Sequence, residues 1–226
     1  MQLDFNAREL TIKLVYSGPA LSGKTTNLKS LHELVSQQAR GRLMTLDTKD
    51  DRTLFFDLLP LQIKAGSGLT VRLKLLTVPG QVIHNATRRL VLSGADGVAF
   101  IADSRKSETR EGANAFVNLR QNLTECGIDP ASLPIVIQFN KRDLPDIRSD
   151  QEIDQLAKRG KEPVFKAVAM QGVGVLETFV GLVRLTWAKL ERENQLDKKF
   201  QINAEEVLHS LGAKLDNGGS TTGAAR

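Results

Sequence analysis

The stretch Gly18-Pro19-Ala20-Leu21-Ser22-Gly23-Lys24-Thr25, which Thr26 follows, carries the most specific structural signal in this 226-residue chain. It matches a glycine, four residues and then Gly-Lys-Ser/Thr, the pattern of a phosphate-binding loop between a strand and a helix. An apolar run from Leu10 to Ser17 predicts the strand, and a helix is predicted from Lys24 to about Gln38. We therefore expect residues 18–26 to bind the phosphates of a nucleoside triphosphate.

The residue types of this loop fit that chemistry. Glycines let successive backbone N–H groups point at a phosphate, at the positive end of the helix. Lys24 is expected to reach the β- and γ-phosphates, and Thr25 to offer its hydroxyl to Mg²⁺. The loop alone does not say which nucleotide is bound.

Apolar segments alternate with helix-like segments along the chain, which predicts an α/β fold with a mostly parallel sheet and helices on both faces. Two segments, Phe55 to Ile63 and Thr70 to Val78, flank a glycine-rich turn and predict one antiparallel hairpin. Further strands are predicted at Gly97 to Ala102, Ile135 to Asn140 and Val164 to Ala169. Further helices are predicted at Gly112 to Glu125 and Leu176 to Leu190.

The composition changes near residue 190. Residues 1–190 are predicted to form one nucleotide-binding domain, and residues 191–226 an extension that is partly helical and then disordered. Asn203 is a candidate N-cap for a short helix that runs to Leu211. From Asp216 onward the sequence is typical of a linker.

The tetrapeptide that begins at Asn140 follows a predicted strand and reads Asn-Lys-Arg-Asp. The carboxylate of Asp143 can accept hydrogen bonds from guanine N1–H and the 2-amino group, which adenine lacks. Asn140 is expected to brace the surrounding loops, and the stem of Lys141 to cover a face of the base. This segment predicts guanine as the base.

The segment Thr77-Val-Pro-Gly80-Gln81 ends the second strand of the hairpin. GTPases have Asp-x-x-Gly-Gln at this place, where the glycine N–H binds the γ-phosphate and the glutamine orients the attacking water. Gly80 and Gln81 are present, but Thr77 replaces the aspartate and has only a hydroxyl to offer a Mg²⁺-bound water.

Charge and composition exclude several other classes of protein. The net charge of +5 is scattered, without the basic stripe and aromatic residues that a nucleic-acid surface needs, so no nucleic-acid partner is expected. No apolar run is long enough to span a membrane. The single cysteine, Cys126, and the polar N-terminus predict a cytoplasmic protein.

The sequence as a whole resembles the MglA family of bacterial gliding-motility GTPases, from about Leu10 to Leu190. The resemblance rests on GPALSGKTTNL, on DRTLFFDLLPL at Asp51 to Leu61, on TVPGQ and on NKRDLP. TVPGQ in place of Asp-x-x-Gly-Gln is itself typical of that family. The resemblance implies a Ras-like P-loop GTPase that acts as a GTP/GDP switch in cell polarity or surface motility.

The same resemblance implies roles for three more residues and for partners. Thr53 resembles the switch threonine that ligates Mg²⁺ and the γ-phosphate together with Thr25, and Ala169 the residue whose N–H reads guanine O6. Arg52 resembles an arginine finger of the same chain, with an ordinary surface arginine as the alternative. The implied partners are a homodimeric roadblock-type protein of the MglB kind, which stimulates hydrolysis, and motility or polarity effectors at a cell pole.

Two other functions stay open at this point. Ala20 stands where the family usually has glycine, and its methyl group could crowd Gln81 or Arg52. Together with Thr77, this departure favours a nucleotide-binding scaffold that scarcely hydrolyses GTP. An RNA-associated GTPase is the remaining alternative, suggested only by the net positive charge.

Overall fold

The structure of the chain, a computed structural model, describes residues 1–46, 56–78 and 85–212. Within these ranges eight strands form one sheet, in the order β3-β4-β5-β2-β6-β7-β8 with β1 paired to β2. The strands are β1 Gln2–Asp4, β2 Glu9–Ser17, β3 Met44–Leu46, β4 Phe56–Lys64, β5 Thr70–Thr77, β6 Gly97–Asp103, β7 Ile135–Asn140 and β8 Val164–Lys166.

Helices connect the strands and cover both faces of the sheet. They are α1 Lys24–Leu34, α2 Asn85–Leu92, α3 Thr109–Glu125, α4 Asp150–Arg159, α5 Val175–Asn194, α6 Leu196–Phe200 and α7 Ala204–Ser210. Two segments each form a single turn of 3-10 helix: Lys106–Glu108 and Ala169–Gln171.

The predicted α/β architecture is confirmed. Strands β5, β2, β6, β7 and β8 run parallel, and β4 pairs antiparallel with β5 as the predicted hairpin. Two short strands that the sequence did not reveal, β1 and β3, add antiparallel pairs with β2 and β4. The carboxyl ends of β2, β5, β6 and β7 therefore meet at one edge of the sheet.

Several predicted boundaries were wrong by a few residues, and helices α2, α4 and α6 were missed. Helix α1 ends at Leu34 rather than Gln38, because Val35 is extended and the N–H of Ser36 donates to the carbonyl of Leu211 in the C-terminal segment. The last strand ends at Lys166 rather than Ala169, since the chain turns there into a 3-10 helix.

Apolar side chains pack on both faces of the sheet and form two clusters. One cluster lies under α1 and α5 and includes Leu28, Phe179 and Trp187. The other lies under α2 and α3 and includes Leu92 and Leu123. Burial of both faces explains why β6 is buried at every position.

The segment after α5 packs against the first of these clusters. Its apolar residues are almost fully buried there: Leu196, Ile202, Val207, Leu208 and Leu211. Asn203 caps α7 as predicted, accepting from the N–H of Glu206 at 3.0 Å. Arg184 of α5 pairs with Glu205 at 2.8 Å. The predicted domain boundary at residue 190 stays a prediction about independent folding, and the predicted disorder from Asp216 falls outside the described residues.

No helix among the described residues has the length and apolar character needed to cross a membrane.

Candidate nucleotide site

The loop between β2 and α1 folds back on itself in a way that only glycine permits at both ends. Gly18 has φ 145° and Gly23 has φ 99°, in the region that L-residues rarely adopt. A Cβ on Gly18 would lie 2.2 Å from the carbonyl oxygen of Ile101, and a Cβ on Gly23 would lie 2.3 Å from Nδ2 of Asn140. The predicted phosphate loop is therefore packed tightly against β6 and against the end of β7.

Lys24 begins helix α1 and points its ammonium group into this loop. Its Nζ donates to the carbonyls of Gly18 at 3.1 Å and Pro19 at 2.6 Å. Burial lowers the pKa of Lys24 to about 8, with a smaller contribution from the positive charge of Arg88, while Asp57 acts in the opposite direction. The loop thus holds a buried cation, an arrangement suited to an anion such as phosphate.

The phosphate loop borders a cleft of about 440 Å³. Ala20, Leu21 and Thr25 line it and are exposed, whereas Ser22 is buried. The rest of the lining comes from Gly23, Lys24, Thr26, Thr45, Phe56, Asp57, Thr77 and Val78. Six predicted phosphate-binding residues therefore share one cavity with the end of the β4–β5 hairpin: Ala20, Leu21, Gly23, Lys24, Thr25 and Thr26.

Asp57 of β4 is the functional candidate that the sequence reasoning missed. Its carboxylate is buried and accepts from the hydroxyls of Thr25 at 2.6 Å, Thr77 at 3.0 Å and Thr45 at 2.9 Å. The N–H of Asp57 also donates to Oγ1 of Thr77 at 2.9 Å. Asp57 and Thr77 stand on neighbouring strands and bond each other, so a carboxylate of β4 touches the position where β5 lacks one.

Asn140 joins the phosphate loop to the loop after β8. Its Nδ2 donates to the carbonyl of Ser22 at 2.9 Å, and its Oδ1 accepts from the N–H of Ala169 at 2.9 Å. The bracing expected of Asn140 is present in the structure. Because the N–H of Ala169 already donates to Oδ1 of Asn140, a guanine O6 would have to share this donor with Asn140 or displace its oxygen.

Lys141 and Asp143 follow on a turn at the end of β7. Lys141 has φ 65°, and its Nζ donates to Oδ2 of Asp103 at 2.7 Å. Burial would raise the pKa of Asp103, but hydrogen bonds from Arg105 and Lys141 outweigh it and hold that pKa at about 2. Asp103, a second residue that the sequence reasoning missed, therefore fixes Lys141 as an ion pair. The carboxylate of Asp143 is exposed.

The described residues of the predicted site lie at one edge of the sheet, at the carboxyl ends of β2, β7 and β8. This edge is where open α/β sheets bind their ligands. Four predicted site residues fall outside the described ranges: Arg52, Thr53, Gly80 and Gln81.

A glycine-rich phosphate loop, an Asn-Lys-x-Asp turn and a mostly parallel sheet define a P-loop nucleotide-binding domain of the Ras-like class. Among curated proteins, the Mutual gliding-motility protein MglA of Myxococcus xanthus (strain DK1622) is 42% identical to the chain over 190 residues. The matched part makes up 84% of this chain and 97% of that relative. The chain therefore belongs to the MglA family of Ras-like small GTPases. No protein-family model matches it.

Proposed function

We propose that this protein binds GTP and GDP with Mg²⁺, hydrolyses GTP slowly and acts as a molecular switch. The observation that carries the proposal is the double contact of Asn140. It ties Ser22 in the phosphate loop to Ala169 in the loop between β8 and α5, which we call the base loop. One side chain thereby sets the spacing between a phosphate site and a site for the base. This spacing suits a nucleotide rather than a free phosphate.

The donor set beside the phosphate loop fits Mg²⁺, which prefers oxygen ligands and usually takes few of them from protein. Thr25 is the residue that would hold the ion, together with nucleotide phosphates and with Thr53 from outside the described ranges. Asp57, hydrogen-bonded to Thr25, supplies the negative charge that the missing aspartate at position 77 would provide. When bound, the ion neutralises charge on the β- and γ-phosphates.

The catalytic residues of this proposal are Gln81 and Arg52. Gln81 would orient the attacking water, and Gly80 would donate its N–H to the γ-phosphate. Arg52 would place a guanidinium against the charge that develops on the transferring phosphoryl group. Both assignments derive from the sequence and from membership of the family.

The family also supports a proposal about partners and location. The relative from Myxococcus xanthus is named for gliding motility. We extend that role to this chain as control of cell polarity or surface motility, from the cytoplasm and at a cell pole. A homodimeric roadblock-type protein of the MglB kind would stimulate hydrolysis by arranging the segments around Arg52 and Gln81.

A scaffold that binds GTP and scarcely hydrolyses it is the second candidate. Ala20 is the observation that favours it, because its methyl group lines the phosphate cleft. Thr77 no longer favours it, since Asp57 supplies a carboxylate at the same place. The two candidates differ only in turnover.

The proposal is tested by nucleotide affinity and turnover of the full chain. We expect GTP and GDP to bind at least ~100-fold more tightly than ATP, because only guanine matches the acceptors of Asp143. Phosphate release in single-turnover assays should be slow alone and faster with a roadblock-type partner. Equal affinities for GTP and ATP would overturn base recognition, whereas tight GTP binding without turnover in either assay would favour the scaffold.

Nucleotide binding is expected to take up protons near pH 8. The pKa of Lys24 is about 8 in this structure, and a phosphate beside the ammonium group would raise it. The free protein therefore loses this proton as the pH rises through about 8 while the complex keeps it, so the contribution of Lys24 to affinity falls above that pH and is level well below it.

Calorimetry of GDP binding in two buffers of different ionisation enthalpy measures this uptake. About half a proton or more should be taken up at pH ~8.5, and little at pH ~6.5. A binding heat that is independent of the buffer at pH ~8.5 would contradict the assignment of the pKa to Lys24.

A further inference from the structure

A chain of buried polar side chains crosses the apolar cluster beneath the nucleotide site. Gln138 of β7 donates through Nε2 to Oδ1 of Asn27 at 2.9 Å and to Oγ1 of Thr178 at 2.8 Å. Asn27 belongs to α1 and Thr178 to α5, so the three residues link three elements. All three are buried, with exposures of 1% or less.

Each end of this network donates a hydrogen bond to a backbone carbonyl beside the nucleotide site. Nδ2 of Asn27 donates to the carbonyl of Gly23, the last residue of the phosphate loop, at 3.0 Å. Oγ1 of Thr178 donates to the carbonyl of Gly174, which ends the loop containing Ala169, at 2.6 Å. The network therefore runs from the phosphate loop to the base loop, one layer below the contacts of Asn140.

Packing does not account for these residue types. The surrounding cluster is apolar: Leu28 and Phe179 follow Asn27 and Thr178 directly in the sequence, and Val136 lies two residues before Gln138. Oε1 of Gln138 has no hydrogen-bond partner among the described residues, and a buried unpaired oxygen opposes folding. Apolar residues of the same size would avoid that penalty, so the bonds are better explained by what they position.

We infer that Gln138, Asn27 and Thr178 are positioning residues that fix the phosphate loop relative to the base loop and thereby set how long a nucleotide stays bound. The inference rests on the proposed function. A guanine nucleotide contacts both loops at once, and it dissociates faster when their separation is no longer fixed. The hydrogen bonds of Asn140 join Ser22 and Ala169 within the two loops. The network instead holds the last residue of each loop, Gly23 and Gly174, through α1 and α5.

Helix α5 offers a matched control for the test. Thr178 and Thr186 lie on the same helix and are both buried, but Oγ1 of Thr186 has no hydrogen-bond partner among the described residues. Thr178→Val and Thr186→Val therefore make the same chemical change, and only the first breaks the network. Thr178→Ser keeps the hydroxyl and serves as the conservative variant.

The measurement is the dissociation rate of fluorescent GDP from the full chain, with the melting temperature of each variant recorded beside it. We expect Thr178→Val and Gln138→Met to speed release about tenfold or more, and Thr178→Ser and Thr186→Val to stay within about twofold of the parent. The double variant Gln138→Met with Asn27→Leu should release GDP little faster than either single variant, since the loss of one hydrogen bond already interrupts the network.

The possible outcomes separate this inference from the proposed function. A parent protein that binds no guanine nucleotide would overturn the proposed function itself. If the parent binds GDP and Thr178→Val releases it no faster than Thr186→Val, the positioning role is wrong. Equal acceleration by Thr178→Ser and Thr178→Val would overturn it as well. Should Thr178→Val fail to fold, Gln138→Met decides the question by the same comparison with the parent.

Discussion

Replacing Asp143 by asparagine is expected to weaken GTP binding by at least about 100-fold and to create affinity for xanthosine triphosphate. The carboxylate would accept hydrogen bonds from both N1–H and the 2-amino group of guanine. Asparagine can still accept from N1–H, but it turns its amide donor towards the 2-amino group. One hydrogen bond to a charged group, worth roughly 1.5–3 kcal/mol, is therefore replaced by a donor–donor repulsion, which together correspond to about 10²-fold or more in affinity. Xanthine has an oxygen at position 2, which matches the amide donor of asparagine.

Asp146→Asn is the matched control for this change. Asp146 is exposed in the same loop, three residues further on, and contacts Lys106 rather than the nucleotide site. Competition binding with GTP, ATP and xanthosine triphosphate should show the switch for Asp143→Asn and parent-like values for Asp146→Asn. Parent-like GTP affinity in Asp143→Asn would mean that another residue recognises the base.

The sequence predicted the phosphate loop and the Asn-Lys-x-Asp turn because their chemistry is local. Gly18 and Gly23 are required by the backbone path of the loop, and Lys24 starts the helix that follows. The bracing role of Asn140 also follows from its place at a strand end, where the loops after neighbouring parallel strands meet. In such segments a few consecutive residues contain nearly all of the relevant information.

Asp57 and Asp103 were missed because their roles depend on pairing between strands. Asp57 sits in an apolar segment and reads there as an ordinary strand residue. The predicted hairpin contained the signal, since a turn at residues 65–68 brings Asp57 beside Thr77, but the register was not followed to that pair. The role of Asp103 requires the direction of the Lys141 side chain, which no sequence pattern specifies.

Helix α4 and the C-terminal segment show two further limits of sequence reasoning. Helix α4 has a complete capping box, in which Ser149 and Glu152 bond each other's backbone N–H groups, but Ile153 is its one buried residue. Apolar periodicity was therefore weak, and the helix was missed although the cap could have revealed it. For α7 the helix and its cap were predicted, but the surface that it covers depends on how α1 and α5 pack.

Replacing Asp57 by asparagine is expected to abolish most of the effect of Mg²⁺ on nucleotide binding and to slow hydrolysis. The negatively charged carboxylate of Asp57 accepts a hydrogen bond from Thr25, the residue assigned to the ion. Asparagine keeps the shape and can still accept hydrogen bonds, so the change removes mainly the charge. Partners one step behind a metal ligand typically change metal affinity or activity by about 10- to 100-fold, and we expect a loss in that range.

The second strand of the hairpin allows a rescue experiment that separates charge from folding. Because Thr77 lies beside Asp57 in the antiparallel pair, Thr77→Asp returns a carboxylate to nearly the same place. The double variant Asp57→Asn with Thr77→Asp should recover much of the response to Mg²⁺, measured as the slowing of GDP release on adding the ion. Thr77→Val alone should reduce that response only a few-fold.

A parent-like response to Mg²⁺ in Asp57→Asn, at an unchanged melting temperature, would show that the charge at this position is not needed. Loss of the response in Asp57→Asn without recovery in the double variant would show that the carboxylate must stand at position 57, since a carboxylate moved by one strand would then be too far from Thr25 and the ion.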